Sequence, residues 1–484
     1  MKKLKVLLVV VLSFAFLPFG FLGCKKSESD TLPTYDITLS YNEKDNSIDC
    51  KTKVDYTNNS DNEIKELKFN LFMNAYRENA TLKPVRDTDV DKKNITYSSL
   101  KIKKVIVQKD EGEYSVCGKD ENILSVPLKN SLFPDESAEV TIEYNLVLPK
   151  INHRLGVTEK TVNLGNFYPI LCAYEKEGFY ECEYSPNGDP FYSNCANYKV
   201  NFTLPKEYIV ASSGELLKEE TKGNLTTRSY SIDKARDFAL VISNCFSIET
   251  KISGDTEIFY YYYNDEKPSE TVTAMEKGIK YYNSTFGKYP YKTFSVVQTA
   301  FLQGGMEYPA LVYVSDNLSE KAKIEVAVHE LAHQWWYGVV GNNEIEYGFL
   351  DEGLTEYSTM LFYDNYKEYG FDRLHFVSAT EKSYHTICDV HKQIKGAVDT
   401  SMLRKLNDYS TELEYVNIAY NKGFLLFEHL RQTTGNKKFF KGLKNYYEKY
   451  AFKEATPDSL SGVYEKLGIP NGFFNSFYNG TAII

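Results

Sequence analysis

The sequence predicts an antiparallel β-sheet domain followed by an α+β domain, and three observations carry that prediction. Short runs alternating apolar and polar residues fill the chain from Tyr35 to about Thr250. Near residue 252 the period changes, and beyond Glu320 nearly every segment repeats its apolar residues at three- and four-residue spacing, as a helix does. At 484 residues, 42% hydrophobic and 25% charged, the chain has the composition of a folded protein and excludes disorder, coiled coil and collagen.

The first element reads as a targeting segment. Lys2, Lys3 and Lys5 precede an apolar run of 17 residues, Val6 to Leu22, broken by Pro18. A comfortable membrane span needs about 20 residues. The run ends at Phe21-Leu22-Gly23-Cys24, and the polar stretch Lys25 to Asp30 follows. This arrangement resembles a bacterial lipoprotein signal. The resemblance implies removal of residues 1–23, acylation of Cys24, a polar linker over 24–34, and an extracytoplasmic protein held to the cell membrane by its lipid. Of the eight cysteines, Cys172, Cys182 and Cys195 lie close in sequence, and their pairing cannot be deduced from spacing.

The β domain is assigned to residues 35–251. Tyr35–Ser40, Ala138–Tyr144 and Tyr198–Leu204 alternate as half-buried strands do, and Asn58–Asp61, Phe133–Asp135 and Pro186–Asp189 carry turn residues between them. The α+β domain is assigned to 252–484. It opens with a strand at Ile258–Tyr263 and an amphipathic helix through Val272, Met275, Ile279, Tyr282 and Phe286. A strand at Phe294–Thr299, a Gly-rich corner and a strand at Ala310–Val314 come next, and then the helices.

The pattern that carries chemistry is His329-Glu330-Leu331-Ala332-His333, within a stretch that has no Gly or Pro before Gly338, so a helix is expected to run to that glycine. On a helix, positions i and i+4 share a face, so both imidazoles can hold one Zn²⁺ while Glu330 reaches a water on it. Glu352 begins another helical run and can return its carboxylate to the same ion. Three protein ligands leave one position open, which is the arrangement of a catalytic rather than a structural zinc site. Glu356, one turn later, could hydrogen-bond a ligating histidine.

His329-Glu330-Leu331-Ala332-His333-Gln334-Trp335-Trp336 with Glu352 resembles the zinc core of the M1 aminopeptidases, which are gluzincins. Two more motifs match in order along the chain. Gly304-Gly305-Met306-Glu307-Tyr308 resembles Gly-x-Met-Glu-Asn, with Tyr308 in place of the Asn, and Tyr420-Asn421-Lys422-Gly423 resembles Tyr-x-Lys-Gly. The resemblance implies a thermolysin-like zinc peptidase domain and hydrolysis of the N-terminal residue from peptides. Glu330 would be the general base, and the Tyr420 hydroxyl would stabilise the oxyanion. Only 64 residues follow Tyr420, which suggests a form without the helical C-terminal domain of larger members.

Each substrate-facing motif also has a physical reason. A carboxylate fixed beside the metal, Glu307, can recognise a free α-ammonium by a charge-assisted hydrogen bond. Gly304, Gly305 and Met306 can let a peptide approach as an added edge strand. The expected partners are therefore peptides with a free N-terminus. Nucleic acid is not expected, because 56 basic and 66 acidic residues leave a net charge of −10 with no basic stripe. Two alternatives remain open: a thermolysin-like endopeptidase, which would not need Glu307, and a zinc-containing surface binding protein without catalysis.

Overall fold

Alternation places the first strand, β1 (Thr34–Asn42), with Tyr35, Ile37, Leu39 and Tyr41 buried and the residues between them facing outward. The computed structural model describes residues 31–85, 94–176 and 178–484, so the leader, Cys24 and the linker up to residue 30 lie outside the described residues. β1 joins β2 (Ser47–Thr57), β3 (Ser99–Val107), β4 (Asp110–Glu111), β5 (Ser137–Val147), β6 (Ala196–Pro205), β7 (Glu215–Lys222) and β8 (Leu225–Ala235) in one sheet. The strand order is β7-β8-β6-β1-β2-β5-β3-β4. All neighbours are antiparallel except β1 and β6, which run parallel from Thr34 opposite Asn197 to Ser40 opposite Thr203. A parallel neighbour is possible because more than a hundred residues of chain join the two strands, and no hairpin is required.

The second half is built on a sheet of five strands, β9 (Ser247–Ser253), β10 (Thr256–Tyr262), β11 (Thr293–Thr299), β12 (Gly305–Met306) and β13 (Leu311–Ser315), in the order β9-β10-β11-β13-β12. β10, β11 and β13 are parallel, and α1 (Pro268–Thr285) makes the crossover between the first two. Its apolar stripe, Val272, Met275, Ile279 and Tyr282, is buried as the three- and four-residue spacing requires. The two-residue strand β12 is the open edge of this sheet.

Helices α2 (Glu320–Ala332), α3 (Phe349–Asn365) and α4 (Arg373–Lys395) follow. Ser319 caps α2, its side chain accepting from the Ala322 amide at 3.4 Å. The sequence leads one to expect this helix to reach Gly338, but it ends at Ala332 with His333 as its cap. Tertiary contacts win over the unbroken helical pattern there. Trp335 and Trp336 turn into the core, where their indole N–H groups donate to the Gly287 carbonyl and the Ser358 hydroxyl, and Tyr337 takes a φ of 135°. The following residues, Val340–Asn342, pair with Lys453–Ala455 as a short parallel ribbon. Asn417–Lys422 forms a π-helical turn that leads into the long helix Gly423–Tyr450, kinked at Gly435. Among the described residues no helix is long and apolar enough to cross a membrane. The described Cys172, Cys182 and Cys195 are buried free thiols.

Candidate active site

Residues far apart in sequence meet at the end of α2. His329 and His333 sit four residues apart on one helical face, with Nε2 atoms 3.1 Å from each other. From the first turns of α3, Glu352 brings Oε2 to 3.4 Å from the His329 Nε2 and 3.2 Å from that of His333. A tetrahedral ion with ligands at about 2.0–2.1 Å sets its ligand atoms about 3.3 Å apart. The donor set therefore fits one Zn²⁺. The buried Glu352 Oε2 has no hydrogen-bond donor among the described residues, so a cation would relieve an otherwise unpartnered carboxylate oxygen.

The far nitrogens of both rings are fixed. His333 Nδ1 lies 3.1 Å from the Trp336 carbonyl and 3.2 Å from the Thr355 hydroxyl, and His329 Nδ1 lies 3.3 Å from Glu356 Oε1. A carbonyl can only accept, so His333 carries its proton on Nδ1, and the Glu356 carboxylate favours the same tautomer in His329. Both Nε2 lone pairs are then turned toward Glu352.

Glu330 lies beside this donor set, against Gly305 of β12. It is buried, its Oε2 has no partner among the described residues, and burial, reinforced by Glu307, pushes its pKa up to about 8 although His329 pulls the other way. A carboxylate of raised basicity is suited to take a proton from water. Gly305 makes room for it, since a Cβ there would stand 2.6 Å from Glu330 Cδ. Glu307 is close by: carboxylate oxygens of Glu307 and Glu330 and a ring nitrogen of His333 all lie within 4.8 Å of one another. Glu307 Oε1 is buried without a partner, and burial, together with Asp189 and Glu352, raises its pKa well above the usual carboxylate range.

The Tyr420 hydroxyl donates to Glu352 Oε1 at 2.5 Å, and its ring stacks on His329 with centroids 6.0 Å apart. The π-helical turn carrying it approaches α3 through two glycines. A Cβ on Gly353 would lie 2.5 Å from the Gly423 Cα, and one on Gly423 would lie 2.7 Å from the Gly353 Cα. Behind the turn, the buried Lys422 Nζ donates to the carbonyls of Thr400 at 2.6 Å and Phe477 at 2.7 Å. Of the residues expected from the sequence, Gly304, Gly305, His329, Glu330, Glu356 and Tyr420 line one cleft of about 610 Å³, Glu307, His333 and Glu352 stand beside them, and Met306 is buried against Arg154.

Three further groups escaped the sequence reading. Arg154 and Asp189 form a buried ion pair on the cleft wall, and the Arg154 Nε also contacts Met306 Sδ at 2.9 Å. Pro186-Asn187-Gly188-Asp189 carried only a turn signal, and that turn brings the acid to the cleft. Gln334 ties the end of α2 to the substrate segment, its Nε2 donating to the Tyr308 carbonyl at 3.2 Å and its Oε1 accepting from the Ala310 amide at 2.8 Å. Asn166 and Asp237 lie behind Tyr308, with the Tyr308 hydroxyl donating to Asn166 Oδ1 at 2.9 Å and Asn166 Nδ2 donating to Asp237 Oδ2 at 2.5 Å.

A β-sheet domain is thus joined to an α+β unit in which two histidines of α2 and a glutamate of α3 surround a single candidate ion site. Residues 270–472 match the peptidase family M1 domain. Similar proteins include leukotriene A-4 hydrolase of Xenopus laevis, 25% identical over 390 residues covering 74% of this chain and 60% of that protein. Aminopeptidase M1-D of Oryza sativa subsp. japonica is 23% identical over 292 residues, 56% of this chain and 32% of that one. The chain thus spans about three-fifths and one-third of these relatives' lengths. The M1 zinc metallopeptidase of Deinococcus radiodurans shares the fold with a TM-score of 0.67 at 15% identity, over 94% of this chain and 95% of the other. A mutant of that protein bound to a Tyr-Ser-Ala substrate aligns with a TM-score of 0.66 at 16% identity.

Proposed function

We propose that this protein is a zinc-dependent aminopeptidase that removes the N-terminal residue from peptides. The observation that carries the reading is the buried, unpartnered Glu307 carboxylate beside the His329, His333 and Glu352 donor set. Metal binding alone does not require that carboxylate, nor does an endopeptidase, whereas a free α-ammonium supplies the partner it lacks. The relatives named as aminopeptidases support the same reading.

His329, His333 and Glu352 would hold the Zn²⁺, which when bound supplies Lewis-acid polarisation of a carbonyl and a more acidic water. Glu307 takes the substrate ammonium and so sets which peptide bond lies at the site. Glu330 accepts the proton of the attacking water and returns it to the leaving amine. Tyr420 redirects its hydroxyl from Glu352 Oε1 to the oxyanion that develops on the substrate. Glu356 and the Trp336 carbonyl hold the imidazoles in the required tautomer. The segment Gly304-Gly305-Met306 offers its edge to the peptide backbone.

In this reading the expected division into a β domain at 35–251 and a catalytic domain at 252–484 is drawn back to Ser247, because β9 begins there and pairs with β10. The basic, apolar and Cys24-terminated leader supports export and attachment to the cell membrane by lipid. The functional reading is tested with paired peptides identical except for a free or acetylated amine. Cleavage of the free-amine member alone is expected, and equal cleavage of both would show an endopeptidase.

A further inference from the structure

The substrate segment runs alongside α2, and this fixes the direction of a bound peptide. Gly304 lies against Val326, where a Cβ would be 3.4 Å from the Val326 side chain, and Gly305 lies against Glu330. The Tyr308 carbonyl is held by Gln334, at the end of the helix. Glu307, the ammonium anchor, is therefore at the C-terminal end of α2, the ion site is in the middle, and Glu325 and Val326 lie one turn before His329 on the far side. A peptide with its amine at Glu307 and its first carbonyl at the ion site carries its second residue toward Glu325.

That far side is acidic. Glu325, Glu356 and Glu412 all line the cleft. Glu325 is half-buried and its pKa is raised, first by burial and then by Glu356, although His329 and His375 pull the other way. Glu330, 5% exposed with an unpartnered oxygen, lines the same cleft and marks it as a place where a ligand completes the polar contacts. Arg154 is the one Lys or Arg among the described residues lining the cleft, and Asp189 already occupies it.

We propose that Glu325, supported by Glu356, makes this protein select peptides whose second residue is lysine or arginine and reject those with an acidic second residue. The selection rests on the aminopeptidase reading and adds the substrate class to it. A long basic side chain leaving the ion site reaches a part-buried carboxylate pair, whereas a carboxylate there meets like charge in a poorly screened cleft.

The test uses the zinc-loaded full chain with free-amine tetrapeptides Ala-Xaa-Ala-Ala, where Xaa is Lys, Ala or Glu, and an alanyl anilide. The expected kcat/KM order is Lys over Ala over Glu, with roughly tenfold between the extremes, the size of a part-buried charge contact. Glu325→Gln should shrink that ratio and leave the anilide rate unchanged, and Glu325→Lys should invert the order. Equal rates for the Lys and Glu peptides in the wild type, or a ratio that Glu325→Lys does not move, would overturn the proposal while the aminopeptidase reading stands. Failure to cleave any of the four would overturn both.

Discussion

Tyr308 fills the space that a side chain on Gly165 would need, so that a Cβ there would stand 2.5 Å from the Tyr308 Cζ. The ring thus passes from the substrate segment into the β domain, where its hydroxyl reaches Asn166 and through it Asp237. Gln334 grips the main chain at the same residue. Tyr308 is therefore a positioning residue for Glu307, its neighbour in sequence. Tyr308→Phe should raise KM for free-amine peptides several-fold while kcat and metal content stay near wild type. A matched loss of kcat would place Tyr308 in the chemistry instead.

The Gly353 to Gly423 contact makes a second prediction. Either glycine changed to alanine forces apart α3, which carries Glu352, and the turn that carries Tyr420. Overpacking a tight contact costs about 1–3 kcal/mol. Gly423→Ala should lower the denaturation midpoint and reduce kcat together, whereas Gly472→Ala, in open space, should do neither. Urea unfolding and steady-state kinetics of both variants give the comparison.

Glu330 and Tyr420 should separate catalysis from metal binding. A general base contributes about 10²–10⁴ in rate, and loss of one oxyanion donor costs about 10²–10³. Glu330→Gln and Tyr420→Phe are expected to lose kcat by such factors while retaining the ion, as neither belongs to the donor set. Wild-type turnover in Glu330→Gln would exclude its role as base.

Asp237 gives a stability prediction with a definite sign. Burial raises its pKa from 3.8 to about 7, against the hydrogen bonds from Tyr168, the Phe238 amide and Asn166. Between these two values the unfolded chain has lost the proton and the folded chain keeps it, so stability contributed by this group is full below the lower pKa and falls as pH rises through about 7. Asp237→Asn should flatten the decline between pH 4 and about 7. An unchanged slope in thermal unfolding across that range would contradict the assignment.

Much of the site was legible because its signals are local. The i and i+4 histidines need only one helix, and β1, α1 and the strand pairs show their periods directly. What the sequence hid depends on contacts between distant segments. Asp189 reads as a turn residue until the fold turns it into the cleft, and Gln334 and Lys422 stand inside the quoted motifs with no role of their own until their amide and ammonium find main-chain carbonyls. The end of α2 was misplaced for the same reason, since burial of Trp335 and Trp336 overrides a stretch with no helix breaker before Gly338. The parallel neighbour of β1 likewise has no local mark.

Metal analysis of the purified chain, set beside its hydrolysis of an alanyl anilide, tests the three-ligand centre most directly. The wild type and Glu330→Gln should each hold one zinc per chain, and Glu352→Ala and His333→Ala should lose both the ion and the activity. Full zinc and full turnover in Glu352→Ala would contradict the convergence of His329, His333 and Glu352 on one ion.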